Sequence, residues 1–364
     1  MFNTNRILYC LNDIAIKPAT ISEIEHRSEC NIFKKDDNGN DMLPLFTAPM
    51  LNVVDVESSD NFIKNKITPI IPRTENIEVR LKLCKEKWCA FSLSEFKMNF
   101  IQENKFTDKC FVLIDIANGN MKSLIDSIRE AKKINNKIII MAGNVANALT
   151  YKELALSGAD YVRVSVGTGA GCITASNTAI FTPMASLIND CFLMKIMTKT
   201  KCKIVADGGM KNYSDIIKAL ALGADYVMCG SIFNKMLDSA GDVYCELDLE
   251  ETYEPHFIDG TELYKLEKDK FLVDILKRYT LYKEYFGMST KKAQKAMGKE
   301  ILHTSEGKSM INKIEYTMKG WVENFSDYLR SAMSYCNIKD IEYFNSNNLE
   351  INVISTNSSN SFNK

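Results

Sequence analysis

A cysteine in a glycine-rich loop is the strongest candidate for chemistry in this sequence. Cys172 follows the segment 167–171, which reads GTGAG, and it stands two residues before Thr174. A thiolate is the most nucleophilic side chain available near neutral pH, and backbone N–H groups or a nearby cation lower the pKa of a thiol. An isolated cysteine is more often an inert buried residue, but this placement leads us to predict that Cys172 is a nucleophile.

Two further glycine clusters indicate phosphate binding. Asp207 with Gly208 and Gly209 ends one apolar run, and Gly230 with Ser231 ends the next. Backbone amides at the ends of neighbouring strands form phosphate sites in many parallel α/β enzymes. The Asp207 carboxylate is suited to accept hydrogen bonds from ribose hydroxyls. A DGG sequence alone is equally typical of a turn, but two clusters on adjacent strand ends favour a nucleotide site.

Three other segments place polar side chains near glycines. YFGMS at 285–289 contains Met288, which we expect against a purine face, and TSEGK at 304–308 contains Glu306, a candidate acid or base. Asp115 ends an apolar run in the segment IDIANGN, where a polar residue suggests contact with a ligand. The alternative for Glu306 is an ordinary solvated charge, which is the usual role of a glutamate in a polar loop.

These residues need a scaffold that brings strand ends together, and the apolar pattern indicates one. Eight short apolar runs alternate with amphipathic segments, which predicts an α/β protein with a (β/α)8 TIM barrel fold. A doubly wound parallel sheet is the alternative fold. In a barrel the glycine-rich loops would share the face at the carboxyl ends of the strands, where such enzymes keep their chemistry. The predicted strands span residues 43–49, 67–72, 89–93, 110–116, 137–143, 161–166, 203–208 and 225–231.

The chain departs from the barrel repeat after the eighth predicted strand. The segment 239–286 is too long for an ordinary loop, and its acidic stretch suggests a long solvated excursion, for which a hairpin is one form. Ser289 is predicted to cap a helix over 289–297. A second, amphipathic helix is predicted over 321–336.

We predict a single barrel domain over residues 1–345. It includes the excursion and an active-site loop over 300–312. The last residues, 346–364, are rich in Asn and Ser and are predicted to form a flexible tail.

The composition of the chain indicates which classes of partner to expect and in which cellular compartment the protein works. The formal net charge of −1 gives no overall basic field, which argues against nucleic acid as the main partner. No apolar run approaches the ~20 residues that span a membrane, and the first residues lack the basic and apolar regions of a secretory signal. The 11 cysteines form no CxxC pair. We therefore expect reduced thiols, no membrane association and a cytoplasmic protein.

Several motifs, taken in order, resemble the IMP dehydrogenase/GMP reductase family. They are IDIANGN, MAGNV, SGADYVRV, VGTGAGCIT, VADGGM, ALGADYVMCGS, YFGMS and SEGK, and the match runs from about residue 8 to about residue 340. The chain looks closer to GMP reductase, because no regulatory domain interrupts the strands and SEGK matches the reductase segment that supplies a glutamate. The Arg-Tyr pair found on the mobile flap of the dehydrogenases is not seen after YFGMS.

The resemblance implies a reaction for the cysteine. In this reaction GMP, a purine nucleoside monophosphate, is reductively deaminated by NADPH to IMP and ammonia. The Cys172 thiolate would add to C2 of the purine, and Thr174 and Glu306 would form a proton relay that lets ammonia leave. The resulting thioimidate would accept hydride at C2, and loss of the cysteine would give IMP.

The resemblance also assigns the remaining site residues. The phosphate would bind at the two glycine clusters and the ribose at Asp207; relatives form homotetramers, and some hold a monovalent cation such as K+ through backbone carbonyls. By this likeness the substrate residues are Asp207, Gly208, Gly209, Gly230, Ser231, Gly287, Met288, Ser289, Ser305 and Gly307; the cofactor residues are Asp115, Ala117, Asn118 and His303; and the cation ligands are Gly167, Gly169 and Cys172.

Departures from the family pattern keep other functions open. Ala170 stands where a serine is usual and Leu51 where an aspartate is usual, so a related guanine nucleotide, including a deoxy form, is an alternative substrate. One alternative activity is that of an IMP dehydrogenase, which uses NAD and water. Another is a nucleotide-binding barrel without catalytic activity, although the presence of Cys172, Thr174 and Glu306 together argues against it.

Overall fold

The computed structural model describes residues 6–247, 249, 254–266, 272–305 and 307–354. Glu306 therefore lies outside the described residues, as do residues 355–364 of the predicted tail. Within the described part the strands are, in chain order, β1 (Ile14–Ile16), β2 (Lys34–Lys35), β3 (Asp41–Met42), β4 (Leu45–Thr47), β5 (Ile70–Ile71), β6 (Trp88–Phe91), β7 (Phe111–Asp115), β8 (Ile139–Val145), β9 (Tyr161–Val164), β10 (Lys203–Asp207), β11 (Tyr226–Cys229), β12 (Val243–Cys245), β13 (His256–Ile258), β14 (Thr261–Leu266), β15 (Leu281–Phe286), β16 (Ser309–Lys313) and β17 (Ile351–Val353).

Strands β4 to β11 form a parallel barrel, which confirms the predicted fold. Their hydrogen-bonded order is β4-β11-β10-β9-β8-β7-β6-β5. A parallel bridge between Phe46 and Thr68 closes the circle between β4 and the segment before β5, where Thr47 N–H donates to the Thr68 carbonyl at 3.0 Å. Each of the eight predicted apolar runs overlaps one of these strands, because a strand covered on both faces is continuously apolar.

The helices lie mainly between successive barrel strands. Short polar side chains begin several of them, since an N-cap oxygen satisfies an N–H of the first turn. For α11 this residue is Thr290, whose hydroxyl accepts from Ala293 N–H at 3.2 Å, so the prediction of Ser289 as the cap was wrong by one residue. The α-helices of the described part are α1 (Val56–Lys64), α2 (Ile77–Leu83), α3 (Leu93–Phe96), α4 (Lys122–Ile134), α5 (Ala148–Leu156), α6 (Thr174–Thr178), α7 (Met184–Thr198), α8 (Tyr213–Ala221), α9 (Ser231–Asn234), α10 (Leu272–Arg278), α11 (Lys291–Ala296) and α12 (Met318–Tyr335).

The side chains inside the barrel are aromatic at one end and charged at the other. Alternate residues of a strand share a face, so inward-pointing side chains form layers across the barrel. At the amino ends of the strands lies an aromatic layer, whose rings pack with centroids 5.0–5.9 Å apart. At the carboxyl ends the layer is charged. The aromatic layer comprises Phe46, Trp88, Tyr161 and Tyr226, and the charged layer comprises Asp115, Arg163 and Asp207.

The excursion after β11 is larger than the predicted hairpin. It contributes to a five-stranded antiparallel sheet of order β13-β14-β12-β15-β16, of which the hairpin β13–β14 is one edge. This sheet has a small apolar core of its own, and burial of these side chains stabilises it. The core residues are Leu237, Val243, Cys245, Leu266, Leu281 and Ile314.

Buried polar side chains join this sheet to the barrel. Lys283 on β15 is fully buried, and its Nζ donates to three backbone carbonyls in the segment 236–239 at 2.7–3.1 Å. The Asn234 amide donates to the carbonyls of Asn52 at 2.7 Å and Glu284 at 3.2 Å. Because buried polar groups without partners are costly, these bonds fix the end of β15 against the barrel rim.

The hairpin β2–β3 covers the amino end of the barrel. The first and last described segments of the chain pair with each other, because β1 lies antiparallel to β17 through Ile14 and Val353. Within the predicted tail of 346–364, Ile351–Val353 find a strand partner in the first residues of the domain, and residues 355–364 lie outside the described part. In the described part of the chain, no helix is both long and apolar enough to cross a membrane.

Candidate active site

Cys172 lies on the loop that follows β9, between that strand and α6. Its N–H donates to the Gly169 carbonyl at 2.9 Å, and its thiol donates to the Thr174 hydroxyl at 3.3 Å. Thr174 is the first residue of α6, so the short helix fixes the hydroxyl beside the sulfur. The structure therefore brings together the predicted nucleophile and one member of the predicted relay.

Cys172 differs from most other cysteines of the chain in its exposure. It is partly exposed, as is Cys10, whereas the other nine are buried. Burial raises the pKa of the Cys229 and Cys191 thiols well above the ordinary value, because a thiolate is poorly stabilised away from water. Those thiols stay protonated and inert, which leaves Cys172 as the thiol that a ligand at the strand ends can reach.

The segment around SEGK packs directly on the cysteine loop. Cys172 and Gly307 form an antiparallel bridge, and Lys308 N–H donates to the Gly171 carbonyl at 2.9 Å. A Cβ on Gly307 would lie 2.9 Å from the Ser289 hydroxyl and 3.2 Å from the Gly171 carbonyl oxygen, so a larger residue here would require its neighbours to shift. Ser305 steadies the turn by accepting from Gly307 N–H at 3.1 Å. Predicted residues from three separate segments thus pack together around the cysteine loop.

The DGG turn contacts the same loop from the other side. Gly208 and Gly209 have φ of +81° and +84°, a left-handed conformation that favours glycine. A Cβ on Gly208 would lie 3.2 Å from Gly169 Cα, and the Thr168 hydroxyl donates to the Asp207 carbonyl at 3.4 Å. The two glycine loops are therefore one surface.

Tyr285 is a site residue that the sequence analysis missed. A Cβ on Gly230 would lie 2.6 Å from the Tyr285 hydroxyl oxygen. The same hydroxyl donates to Met50 Sδ at 3.5 Å. Burial raises the pKa of Tyr285 well above its usual value, and the nearby Asp207, Cys229 and Cys172 add to this effect. The phenol therefore stays protonated and is a neutral donor beside the Gly230–Ser231 cluster. The period-two pattern of YKEYF, which turns Tyr285 inward, was the signal available for it.

A buried arginine links the predicted substrate and cofactor residues. Arg163 donates to Asp115 Oδ1 at 2.7 Å and to Asp207 Oδ2 at 2.8 Å. Burial opposes its charge, but Asp207 and Asp115 outweigh burial and raise the pKa of Arg163. Asn144 also donates to Asp207 Oδ2, at 2.7 Å. Because Asp207 Oδ2 already accepts from Arg163 and Asn144, Asp207 Oδ1 is the oxygen suited to a ribose hydroxyl.

The predicted cofactor residues lie along the rim. Arg73 donates to the Asp115 carbonyl at 2.8 Å and contacts Met297 Sδ at 3.3 Å, which ties the loop after β5 to the end of α11. Ala117 and Asn118 are exposed. His303 is also exposed, and among the described residues no hydrogen bond joins it to Asp115, Ala117 or Asn118.

Buried Gln294 on α11 holds the segment that contains His303. Its amide nitrogen donates to the Ser289 carbonyl at 2.9 Å and the His303 carbonyl at 3.2 Å, and its oxygen accepts from His303 N–H at 2.8 Å. Through these three bonds, Gln294 links the two ends of the segment 289–303.

The sequence matches one family model. The model describes the IMP dehydrogenase / GMP reductase domain and covers residues 98–250, which include β7 to β11 and the cysteine loop.

Named relatives match over most of the chain. GMP reductase of Staphylococcus epidermidis (strain ATCC 35984) is 30% identical over 330 residues, which cover 88% of this chain and 89% of the relative. GMP reductase of Mycoplasma mycoides subsp. mycoides SC is 27% identical over 332 residues, with 88% and 90% covered. GMP reductase of Streptococcus gordonii is 28% identical over 335 residues, with 90% of each covered.

Proposed function

The chain belongs to the IMP dehydrogenase/GMP reductase family, and from this premise we propose that it reductively deaminates GMP, or a related guanine nucleotide, to IMP and ammonia with NADPH. The observation that carries the proposal is the Cys172 thiol, 3.3 Å from the Thr174 hydroxyl on a loop bridged to Gly307. The relatives named GMP reductase support this activity over that of a dehydrogenase.

The covalent chemistry begins at the sulfur. The Cys172 thiolate adds to C2 of the purine and turns this carbon tetrahedral. The amine leaves from C2 as ammonia once it has gained a proton, and the electron pair on the neighbouring ring nitrogen restores the C2=N bond in a thioimidate. Thr174, which lies at the sulfur, and Glu306, two residues before Lys308, are the proposed proton relay for this step.

Reduction completes the reaction. When bound, NADPH supplies the hydride that C2 accepts. The C2–S bond then breaks, so Cys172 regains its thiolate and C2 keeps the new hydrogen in IMP. Two observations support the predicted cofactor residues: Asp115 is held by Arg163 and Arg73, and Ala117 and Asn118, which follow it, are exposed, as is His303.

The nucleotide is held by the surface that the two glycine loops form. We propose that the backbone amides of Gly208, Gly209, Gly230 and Ser231 bind the phosphate together with the Tyr285 hydroxyl. Asp207 Oδ1 takes a ribose hydroxyl, because Oδ2 is committed to Arg163 and Asn144. The segment of Gly287, Met288 and Ser289 packs against Gly171 and Gly307, next to Cys172, which supports a role for these residues at the base.

We also propose a monovalent cation such as K+ on the cysteine loop, held by the carbonyls of Gly167, Gly169 and Cys172. The Gly169 carbonyl accepts from Cys172 N–H and has a second lone pair for a cation. Replacing K+ by Li+ should then lower activity, because the smaller ion does not match carbonyls arranged for K+. Equal activity in both salts would remove the cation from the proposal.

Two reactions distinguish the proposed activity from its nearest alternative. Enzyme with GMP and NADPH should lose NADPH absorbance and release one ammonia for each NADPH oxidised. Enzyme with IMP and NAD should give no NADH. NADH formation with IMP and NAD, and no reaction with GMP and NADPH, would identify a dehydrogenase. No reaction with either pair, while GMP still binds, would identify a catalytically inactive nucleotide-binding barrel.

We propose a homotetramer, supported by an apolar surface on α5 and α7. These neighbouring helices expose Leu149 and Leu156 on the first and Leu193 and Met197 on the second. Exposed apolar residues grouped in this way favour association over a solvated surface.

A further inference from the structure

The geometry points to a second binding site at the amino end of the barrel, and we propose that it takes a neutral, planar heteroaromatic ring of nucleobase size. The site is a cavity of about 230 Å³ under the barrel, between the aromatic layer and the hairpin β2–β3. It lies at the opposite ends of the strands from the Cys172 loop. The inference does not depend on the proposed function.

Aromatic rings make one wall of the cavity. Four of them are the aromatic layer, and the fifth is Phe111 at the start of β7. Layers inside barrels of this type are usually filled by branched aliphatic side chains. Flat aromatic surfaces instead favour a flat ligand, because offset or edge-to-face ring contacts add about 0.5–1.5 kcal/mol beyond burial.

Hydrogen bonds hold the opposite wall of the cavity in place. The Tyr161 hydroxyl donates to Asp37 Oδ2 at 2.6 Å, and Lys109 Nζ donates to Asn38 Oδ1 at 3.0 Å. Asp36 Oδ1 accepts from the N–H groups of Asn38 at 2.9 Å and Asn40 at 2.8 Å. A preformed wall lowers the entropic cost of binding, since no loop must be ordered.

The charges that line the cavity are already balanced. Asp37 accepts from Tyr161 and lies 3.5 Å from Lys203 Nζ. Lys87 donates to Asp60 at 2.6 Å and to Ser59 at 2.9 Å. Asp36, Lys66 and Glu86 also line the cavity. With Asp60, Lys203 and Lys109 beside the lining residues, four carboxylates face four ammonium groups, so the local charge sums to zero. This balance favours neither a phosphorylated ligand nor an organic cation, and supports a neutral one.

Size and hydrogen bonding narrow the class further. A cavity of about 230 Å³ is smaller than the 300–1,000 Å³ typical for drug-sized ligands, so it suits a bicyclic base better than a whole nucleotide. In the described part of the chain the Asn38 amide nitrogen and the Asn40 amide oxygen have no protein partner, and they offer one donor and one acceptor to ring atoms. The described residues that line the cavity include no cysteine, histidine or serine, so the site is one of binding rather than catalysis.

The fluorescence of Trp88, which lines the cavity, can report ligand binding directly. The chain has two tryptophans, and the second, Trp321, lies on α12 away from the cavity. In a Trp321→Phe variant, adenine is titrated while the emission of Trp88 is followed, with saturating GMP present so that adenine does not occupy the nucleotide site. We expect a saturable change with Kd of about 1 mM or lower, a modest affinity for so small a ligand. A linear response or none, up to the solubility of adenine, would overturn the proposal.

Two substitutions test whether adenine binds in this cavity: one places a ring in its mouth, and the other makes the same change elsewhere on the surface. Glu86 is exposed at the rim, and Glu86→Phe in the same background should weaken adenine binding at least about tenfold by placing a ring in the mouth, about 1.4 kcal/mol. Glu78→Phe makes the same change at an exposed position of α2 outside the cavity and should leave binding unchanged. Equal thermal unfolding of both variants shows that the fold is intact. Undiminished binding in Glu86→Phe would assign the signal to another site and contradict the proposal.

Discussion

At the scale of single residues, the proposed mechanism depends on the sulfur of Cys172. Cys172→Ala should lower turnover of GMP by at least about 10³-fold, the order expected when a covalent nucleophile is removed. GMP should still bind, because the glycine clusters and Asp207 are unchanged. Loss of NADPH absorbance measures the first effect and calorimetric titration with GMP the second.

Cys10→Ala is the control, since Cys10 is the other partly exposed thiol and lies near the amino end of the chain. It should leave both quantities unchanged. A Cys172→Ala enzyme with substantial activity would remove the covalent step from the mechanism.

Tyr285 tests the phosphate site. Tyr285→Phe keeps the ring in the rim and removes only the hydroxyl beside Gly230. A hydrogen bond to a charged group is worth about 1.5–3 kcal/mol, so the Kd of GMP should rise at least about tenfold. Turnover at saturating GMP should change little, because the phosphate is far from the reacting carbon.

Tyr282→Phe is the matched control on the same strand. The Tyr282 hydroxyl donates to Glu246 at 2.5 Å and faces away from the barrel rim. An equal loss of GMP affinity in both variants would mean that Tyr285 acts through stability of β15 and not through contact with the nucleotide.

Residues such as these show where sequence reasoning succeeds. Cys172 and Thr174 are two positions apart, and glycines around them mark the loop, so their proximity could be predicted from local pattern. Arg163 is different. It lies inside the apolar run YVRV, and its partners Asp115 and Asp207 are 48 and 44 residues away in sequence. Only the closed barrel brings them together, and no local signal announces a buried ion pair.

At the scale of elements, Gln294 of α11 holds the segment that leads to Gly307, and Gly307 is bridged to Cys172. Gln294→Ala removes three part-buried hydrogen bonds that hold Ser289 and His303 together. A hydrogen bond contributes about 0.5–1.5 kcal/mol net to stability, so the segment 299–310 should open more often once these three are lost. We expect faster amide hydrogen exchange there and a lower kcat, because opening separates Gly307 from Cys172.

Lys295→Ala is the control for this change, because Lys295 lies next to Gln294 on the same helix with its side chain exposed. Exchange in the barrel strands should be unaffected in both variants. If Gln294→Ala left exchange over 299–310 unchanged, the bonds of Gln294 would not be what closes the segment.

The excursion shows the limit of prediction at this scale. Its length and acidity indicated that it leaves the barrel, and the hairpin β13–β14 was within reach of sequence reasoning. The five-stranded sheet was not, because β16 comes from residues 309–313, after α11, and pairs with β15 along its whole length. Strand pairing across an intervening helix depends on tertiary packing, which apolar periodicity does not encode.

At the scale of the whole molecule, the barrel separates two environments along each strand. Tyr161 and Arg163 leave β9 on the same face, one into the aromatic layer and one into the charged layer. The eight apolar runs were sufficient to predict the barrel because every strand is covered on both faces. The contents of its interior were not predictable to the same degree, since Tyr161 and Arg163 satisfy the strand pattern equally well as inward or outward residues.

The apolar surface of α5 and α7 leads to the last prediction. A tetramer that buries this surface should be broken by Leu149→Glu combined with Leu193→Glu, because each change forces a carboxylate into an apolar interface. Light scattering coupled to gel filtration should then give the mass of fewer than four chains, while circular dichroism stays unchanged. Leu247→Glu alters an equally exposed leucine in the excursion and should leave the assembly intact. A tetramer that survives the double change would place its interfaces on other faces of the barrel.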